Sequence, residues 1–280
     1  MRNGGARTKG ITRQSSEGLP LISIVMVTFN CDRYLRQAME SVLNQSYSNK
    51  EIIVVDGGST DGTLDIVQSF GNAVALWQSE PDQGIYDAMN KGIDLATGDW
   101  IGFKNADDWY CDGAFEKLVN AINSNPRVDF WYGNSLSVVQ EEPLEVSPFF
   151  TDHATLGKNP GIDHRSCFIR LELHRKIKFD TRYRLAADFD VFWRLKKAGA
   201  VFAHLNSFIS YKRFGGASDG TEVLKESFAI NRKYAGVFYA YSSRFKSWLG
   251  FIVWKTGNSV LKLIMSKEAY HRFKARKIKS

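Results

Sequence analysis

A chain of 280 residues with 44% apolar content can bury a sizeable core, as one large α/β domain or as a domain with an appendage. Three widely spaced cysteines, Cys31, Cys111 and Cys167, with no CxxC pair, argue against a disulfide framework or zinc site and for a reducing compartment. The net charge of +7 is uneven: Arg244 to Ser280 carries ten Lys or Arg against Glu268 alone, so the rest is slightly acidic and a basic nucleic-acid-binding domain is disfavoured.

Met1 to Pro20 is rich in Gly, Ser, Thr and Arg, lacks the apolar core of a signal peptide, and reads as a flexible leader. Leu21 to Phe29 is a near-continuous apolar run, as in a central parallel strand covered on both faces. Asn30 and Asp32 offer caps for a helix whose Leu35, Ala38, Met39 and Val42 recur at core-facing spacing. Glu51 to Asp56 is a second buried strand, followed by the turn Gly57-Gly58-Ser59-Thr60-Asp61-Gly62, a helix from Thr63 to Phe70 and a strand at Ala73 to Gln78. Glu80 to Gly92 begins as a loop and becomes a helix to Ala96, with Gly98 as its stop. Trp100 to Phe103 is a short apolar run that ends in Lys104-Asn105-Ala106-Asp107-Asp108. Beyond it a helix is expected over Asp112 to Asn123, a strand over Asp129 to Asn134, and a less regular extension over Leu136 to Val146. A loop-like stretch from Pro148 to Pro160 precedes a strand at Ser166 to Ile169, a helix at Asp188 to Ala198 and a strand at Val201 to Tyr211. Strands alternating with helices at this interval imply a parallel α/β sheet with right-handed crossovers.

The C-terminal ends of parallel strands share one edge, where open α/β sheets bind ligands. Asp56, Asp107 and Asp108 therefore converge on one crevice. Adjacent carboxylates repel unless a cation joins them; with Mg²⁺ or Mn²⁺ the crevice becomes a diphosphate site. The competing reading of Asp107-Asp108 is an exposed acidic turn that starts the next helix.

Val54 to Thr63, Asp82 to Gly92, Asn105-Ala106-Asp107-Asp108, Ala187-Asp188-Phe189-Asp190 and Gly215-Gly216-Ala217-Ser218 occur in an order that resembles family-2 glycosyltransferases of the GT-A fold, including those that make bacterial surface polysaccharides. The resemblance covers about Leu21 to Ser218 and implies sugar transfer from a nucleotide-diphospho-sugar to an acceptor hydroxyl with inversion. It implies that Thr28, Asn30 and Asp56 hold the nucleoside, and that Asp82, Asp87 and Asn90 form the donor side. Asn105 stands where the metal motif usually has its first Asp, so Mn²⁺ or Mg²⁺ is expected on Asp107, with Asp108 a second ligand or its support. Asp188 matches the general base, with Ala187 in place of a Glu. His164 is expected to contact acceptor or diphosphate, and the Gly215, Gly216 and Ser218 loop to close over phosphates. Asp56, Asp188, His164 and the Gly215-Gly216 pair also have plain alternatives, as a turn cap, a helix cap, a hydrogen-bonded structural histidine and an ordinary turn.

The expected organisation is a leader over 1–20, a GT-A domain over 21–220, and a basic, amphipathic helical segment over 221–280. In the tail, Trp248, Trp254 and neighbouring apolar residues are interrupted by Lys255, Asn258 and Lys262, too often to span a bilayer. Such a segment either lies on an anionic membrane surface or packs on the domain. The expected partners are a nucleotide-diphospho-sugar donor and a saccharide or lipid-linked acceptor, with no nucleic acid. The expected location is the cytoplasm, peripheral to the inner face of the membrane. Two other readings stand beside this one. A metal-dependent nucleotidyl or phosphoryl enzyme would show a phosphate loop after the first strand, which Thr28-Phe29-Asn30-Cys31 is not. A catalytically inactive sugar-nucleotide-binding protein is suggested by Asn105 and Ala187.

Overall fold

The computed structural model describes residues 1–140, 145–149, 162–213 and 222–242. In chain order its elements are β1 (Arg2–Gly4), β2 (Ile22–Thr28), α1 (Asp32–Leu43), β3 (Lys50–Asp56), α2 (Thr63–Ser69), β4 (Leu76–Ser79) and α3 (Ile85–Leu95). They continue with β5 (Trp100–Asn105), β6 (Trp109–Tyr110), α4 (Ala114–Ser124), β7 (Phe130–Gln140), β8 (Glu145–Phe149), β9 (Cys167–Arg170) and α5 (Leu171–Lys176). α6 (Ala187–Lys197), β10 (Phe202–Arg213) and α7 (Glu222–Ala235) complete the set.

The strands form one sheet in the order β1-β4-β3-β2-β5-β9-β7-β10-β6, with β8 beside β7. β4, β3, β2 and β5 are mutually parallel, as the strand–helix alternation requires. β9 then runs antiparallel between β5 and β7, so the second half of the sheet is mixed. β6 and α5 were not foreseen, being too short to show a period.

Every residue of β2 is buried, which identifies it as the central strand. Its side chains alternate between two layers. Ile22, Ile24 and Met26 join a core with Leu35, Met39 and Val42 of α1 and Phe115 and Leu118 of α4. Val25 and Val27 join the opposite core with Met89 and Ile93 of α3 and Val191 and Phe192 of α6. Period-two alternation in a strand covered on both faces is what makes the sequence read as an unbroken apolar run.

The flexible leader expected over 1–20 is corrected by this structure in part. β1 pairs antiparallel with β4, Arg2 facing Ser79 and Gly4 facing Trp77. Ala6 and Arg7 then donate to the carbonyls of Val74 and Ala75 at 2.9 and 2.8 Å, and Arg7 Nη1 reaches the carbonyl of Leu95 at 2.6 Å. Backbone pairing at a sheet edge needs no apolar side chains, so a polar composition concealed it. The helical segment expected from 221 is present as α7 and a further helical stretch over 237–242, whereas the basic-aromatic tail beyond lies outside the described residues.

α3 sits close on the sheet because Gly92 faces β2: a Cβ there would overlap Cγ1 of Val25, a fully buried side chain. Gly92→Ala is therefore expected to destabilise the fold by about 1–3 kcal/mol, the usual range for overpacking. Denaturant midpoints at unchanged m would measure it; an unchanged midpoint would show that α3 can lift without cost.

Candidate active site

The β2 and β3 ends are held together by side chains that reach across their loops. Asn30 takes a left-handed conformation, φ 46°, and its Oδ1 accepts the N–H of Thr60 at 2.9 Å. Asp56 is 1% exposed. Its two oxygens accept from Thr28 Oγ1, the N–H groups of Gly58 and Ser59, Ser59 Oγ and Ser79 Oγ at 2.5–3.1 Å. The carboxylate expected to read the nucleoside is thus spent on building the turn, and Thr28 is spent on Asp56. Asp82 is the acid that occupies the space above that turn. A Cβ on Gly57 would stand 2.7 Å from its Oδ2, and its Oδ1 accepts the N–H of Gly84 at 2.8 Å. Gly57 therefore makes room for Asp82.

A cleft of about 460 Å³ opens between the β2 and β5 ends, lined by Phe29, Asn30, Asp32, Tyr34 and Asp107 among others. Asp107 is half-buried on its wall. Its neighbour Asp108, expected as a second ligand or its support, is 2% exposed and turned inward. Asp108 accepts the backbone N–H of Arg213 at 3.1 Å and Asn105 Nδ2 at 3.2 Å, and lies 3.4 Å from Arg165 Nε. Burial pushes its carboxyl above the ordinary range against the pull of Arg165. Asn105 directs its amide at Asp108, which leaves its Oδ1 buried and, among the described residues, without a hydrogen-bond partner.

Arg165 is the hub of this region. Its Nε is 3.1 Å from Asp163 as well as 3.4 Å from Asp108. Burial works against its charge, but Asp163, Asp108, Asp188 and Asp107 together outweigh that and raise its pKa. The buried Lys104 adjoins it, donating to the Arg165 carbonyl at 2.9 Å and to Ser210 Oγ at 2.6 Å; burial lowers its pKa to about 8.

The expected base stands at the start of α6. Asp188 Oδ1 accepts Tyr86 Oη at 3.0 Å and the N–H of Phe189 at 2.9 Å, and Oδ2 lies 3.0 Å from His164 Nδ1. His164, expected to contact acceptor or diphosphate, is thus a partner of Asp188. Burial would raise the Asp188 carboxyl, but the bond and charge of His164, the Phe189 N–H and the Tyr86 hydroxyl hold it below the usual range. The start of α6 is itself tied to α7: Glu226 accepts the N–H groups of Arg184, Leu185 and Ala186, each at 2.9 Å. Asp190 is an internal ion pair with Arg194 at 2.6 Å.

Two donor-side side chains are engaged within the fold. Asn90 is locked to Phe179 by reciprocal bonds, Nδ2 to the carbonyl and N–H to Oδ1, each 2.9 Å, so its amide is consumed by packing. Asp87 accepts the N–H of Gln83 at 3.2 Å and pairs with Lys91 at 3.4 Å, so it stabilises the first turn of α3. Gly215, Gly216 and Ser218 lie outside the described residues. Arg165, Tyr86 and Glu226 were missed. Arg165 had a signal, a base two residues after an acid in Asp163-His164-Arg165, whereas Tyr86 and Glu226 meet their partners only through the fold.

An open α/β sheet carrying polar loops and acids at the C-terminal ends of its parallel strands has the GT-A architecture. The chain belongs to glycosyl transferase family 2, which matches residues 23–178. A PGL/p-HBAD biosynthesis glycosyltransferase of Mycobacterium bovis is 33% identical over 71% of this chain and 80% of its own length. Among solved structures, S. aureus TarS 1-349 in complex with UDP-GlcNAc is similar with TM-score 0.59 at 20% identity, over 77% of this chain and 65% of TarS 1-349. The chain therefore spans slightly less than two thirds of that protein. The mannosyltransferase PcManGT from Pyrobaculum calidifontis, in complex with GDP-Man and Mn²⁺, is similar with TM-score 0.57 at 15% identity, over 92% of this chain and 86% of its own. At these identities the likeness bears on the fold.

Asp163 gives the site an acid limit. Burial would raise its carboxyl, but Arg165 and His164 hold it at about 2. A depressed carboxyl stabilises the fold above its ordinary value of 3.8 and loses that contribution as pH falls through 2; Asp108, pushed upward, works in the opposite sense. Asp163→Asn is expected to flatten the loss of stability between about pH 4 and pH 2, removing on the order of 2 kcal/mol of pH dependence. Urea melts across that range would measure it; an acid limb unchanged from the parent would sink the assignment.

Proposed function

We propose that this protein is an inverting glycosyltransferase that moves a sugar from a nucleotide-diphospho-sugar to an acceptor hydroxyl. The observation that carries the reading is that two carboxylates are held in different settings. Asp107 lines the cleft at the strand ends, and Asp188, at the start of α6, is held by the Tyr86 hydroxyl, the Phe189 N–H and His164. Metal ligation and proton acceptance compete for the same lone pairs, so one carboxylate cannot serve both.

At the first station the residues suit a weakly held Mg²⁺ or Mn²⁺. Among the described residues no three His, Cys, Asp or Glu side chains group into a metal site. Asp107 and the unpartnered Asn105 Oδ1 nonetheless offer two oxygen donors. Magnesium-type ions commonly bind through one or two carboxylates together with substrate phosphates and water. Such an ion, held by Asp107 and Asn105, would supply positive charge to the departing diphosphate. Asp82 and Phe29, the latter 63% exposed beside the β3 turn, are assigned to the nucleoside. Asp188 accepts the acceptor proton.

The relative named for PGL/p-HBAD biosynthesis supports a role in cell-surface glycolipid or polysaccharide assembly, with a saccharide or lipid-linked acceptor. The basic-aromatic sequence of the tail supports a peripheral site on an anionic inner membrane face, and so does Phe238, 89% exposed just ahead of it. No helix among the described residues is long and apolar enough to cross a membrane.

Purified protein given UDP-, GDP- and TDP-sugars with Mn²⁺ or Mg²⁺ and a panel of acceptors is expected to transfer or hydrolyse at least one donor. Asp188→Asn should lower turnover by about 10²–10⁴-fold, the usual worth of a general base, with donor affinity preserved. No turnover by the parent protein, or full turnover by Asp188→Asn, would overturn the reading. Mn²⁺ alone should bind weakly and tighten when nucleoside diphosphate is added, and Asn105→Asp should tighten binding of the ion alone; equilibrium Mn²⁺ titrations read both.

A further inference from the structure

We propose that Tyr86 and His164 are positioning residues that act through Asp188, clamping its carboxylate so that one lone pair of Oδ2 is left for the acceptor hydroxyl. The proposal rests on Asp188 being the base and names what makes it one.

Each carboxylate oxygen offers two in-plane lone pairs. Oδ1 has both engaged, by the Tyr86 hydroxyl at 3.0 Å and the Phe189 N–H at 2.9 Å. Among the described residues Oδ2 has one partner, His164 Nδ1 at 3.0 Å. A carboxylate at that distance calls for a proton on Nδ1, so the ring is the donor. Among the described residues its other nitrogen, Nε2, is buried with no hydrogen-bond partner, so the only polar contact the ring makes there is with Asp188. Tyr86 similarly spends its hydroxyl on Asp188, and burial together with the Asp188 charge keeps that phenol protonated. The three side chains come from α3, from the turn before β9 and from α6, and no two are neighbours in sequence. Tyr86 follows the Asp82 loop directly, so the helix behind the donor-side loop also sets the angle of the base.

In the transfer step the acceptor oxygen forms a bond to the anomeric carbon while the bond from that carbon to the diphosphate oxygen breaks. The bonding pair leaves with the nucleoside diphosphate. The acceptor proton moves to Asp188 Oδ2 and later to solvent, which balances the reaction without another reagent.

The other charged or titratable groups that act on the carboxylate are Arg165 on the turn that holds His164 and Cys167 at the start of β9; Glu226 on α7 acts on Tyr86. Asp190, on the same helix, is neutralised by Arg194. None of these donates a hydrogen bond to Asp188, so loss of the His164 or Tyr86 bond should be visible in how Asp188 titrates.

The test is the carboxyl titration of Asp188, followed by carbon-13 NMR, together with the pH profile of kcat/KM, for His164→Ala, His164→Asn and Tyr86→Phe. Removing a donor to the ionised form raises a carboxyl pKa. His164→Ala should therefore raise the Asp188 titration and the acid limb of activity by about one pH unit, and lower kcat by about 10–100-fold. Tyr86→Phe should move both in the same direction by less. His164→Asn, whose amide N–H replaces Nδ1–H, should restore most of both. An Asp188 titration unmoved in both His164→Ala and Tyr86→Phe would overturn the proposal. So would an Asn variant as defective as the Ala variant with its acid limb gone, which would make the imidazole itself the base. If the parent protein turns over no sugar nucleotide, glycosyl transfer fails as a reading, while the titration still decides whether the clamp exists.

Discussion

The buried guanidinium of Arg165 is the interaction on which the rest of the site depends. It faces Asp163 and Asp108 and is felt by Asp107 and Asp188. A carboxylate buried without a partner is strongly destabilising, and a lone buried guanidinium is no better, so neither sign can be housed here alone. Through Asp108 the same charge reaches the backbone of Arg213, and so fixes where β10 ends. One cation thus aligns the end of β5, the turn before β9 and the end of β10.

That arrangement explains why two adjacent aspartates have different fates. Asp108 enters the ion-pair network and cannot also face a ligand, and its inward turn leaves Asp107 on the cleft wall. At the other station the same physics carries a cost. Donors that orient Asp188 also depress its pKa, and a carboxylate held low is a weaker acceptor of protons. A clamp of two side chains and one backbone N–H is a compromise: it fixes the direction of the lone pair without placing a lysine or arginine directly on the base.

Much of the architecture was legible because a strand covered on both faces has no choice but to be apolar throughout. Ile22–Thr28 and Lys50–Asp56 announced themselves in that way, and their C-terminal ends located the crevice. Individual carboxylates were less readable. Asp56 sits where a ligand residue would sit and is nevertheless consumed by its own turn, because the turn has more N–H and O–H donors than its backbone can satisfy. Asn90 shares a helix with Asp87 but is captured by Phe179, 89 residues away. Tyr86 and Asp188 are 102 residues apart, and no periodicity couples positions at that distance. Leader residues were misjudged for the opposite reason: their pairing uses main-chain groups, which composition does not reveal.

The short strand β1 has a consequence for how molecules of this protein meet one another. Without it, β4 would present an open row of N–H and C=O groups at the sheet's margin, the kind of edge on which a second chain can add. Three residues cover that row, and Gly4 lies so close over Trp77 that a Cβ would stand 2.8 Å from the indole. The new margin is too short to template a further strand. Colloidal stability of the folded protein therefore rests in part on a segment remote from any chemistry, and lengthening β1 with β-prone residues would rebuild the hazard that it removes.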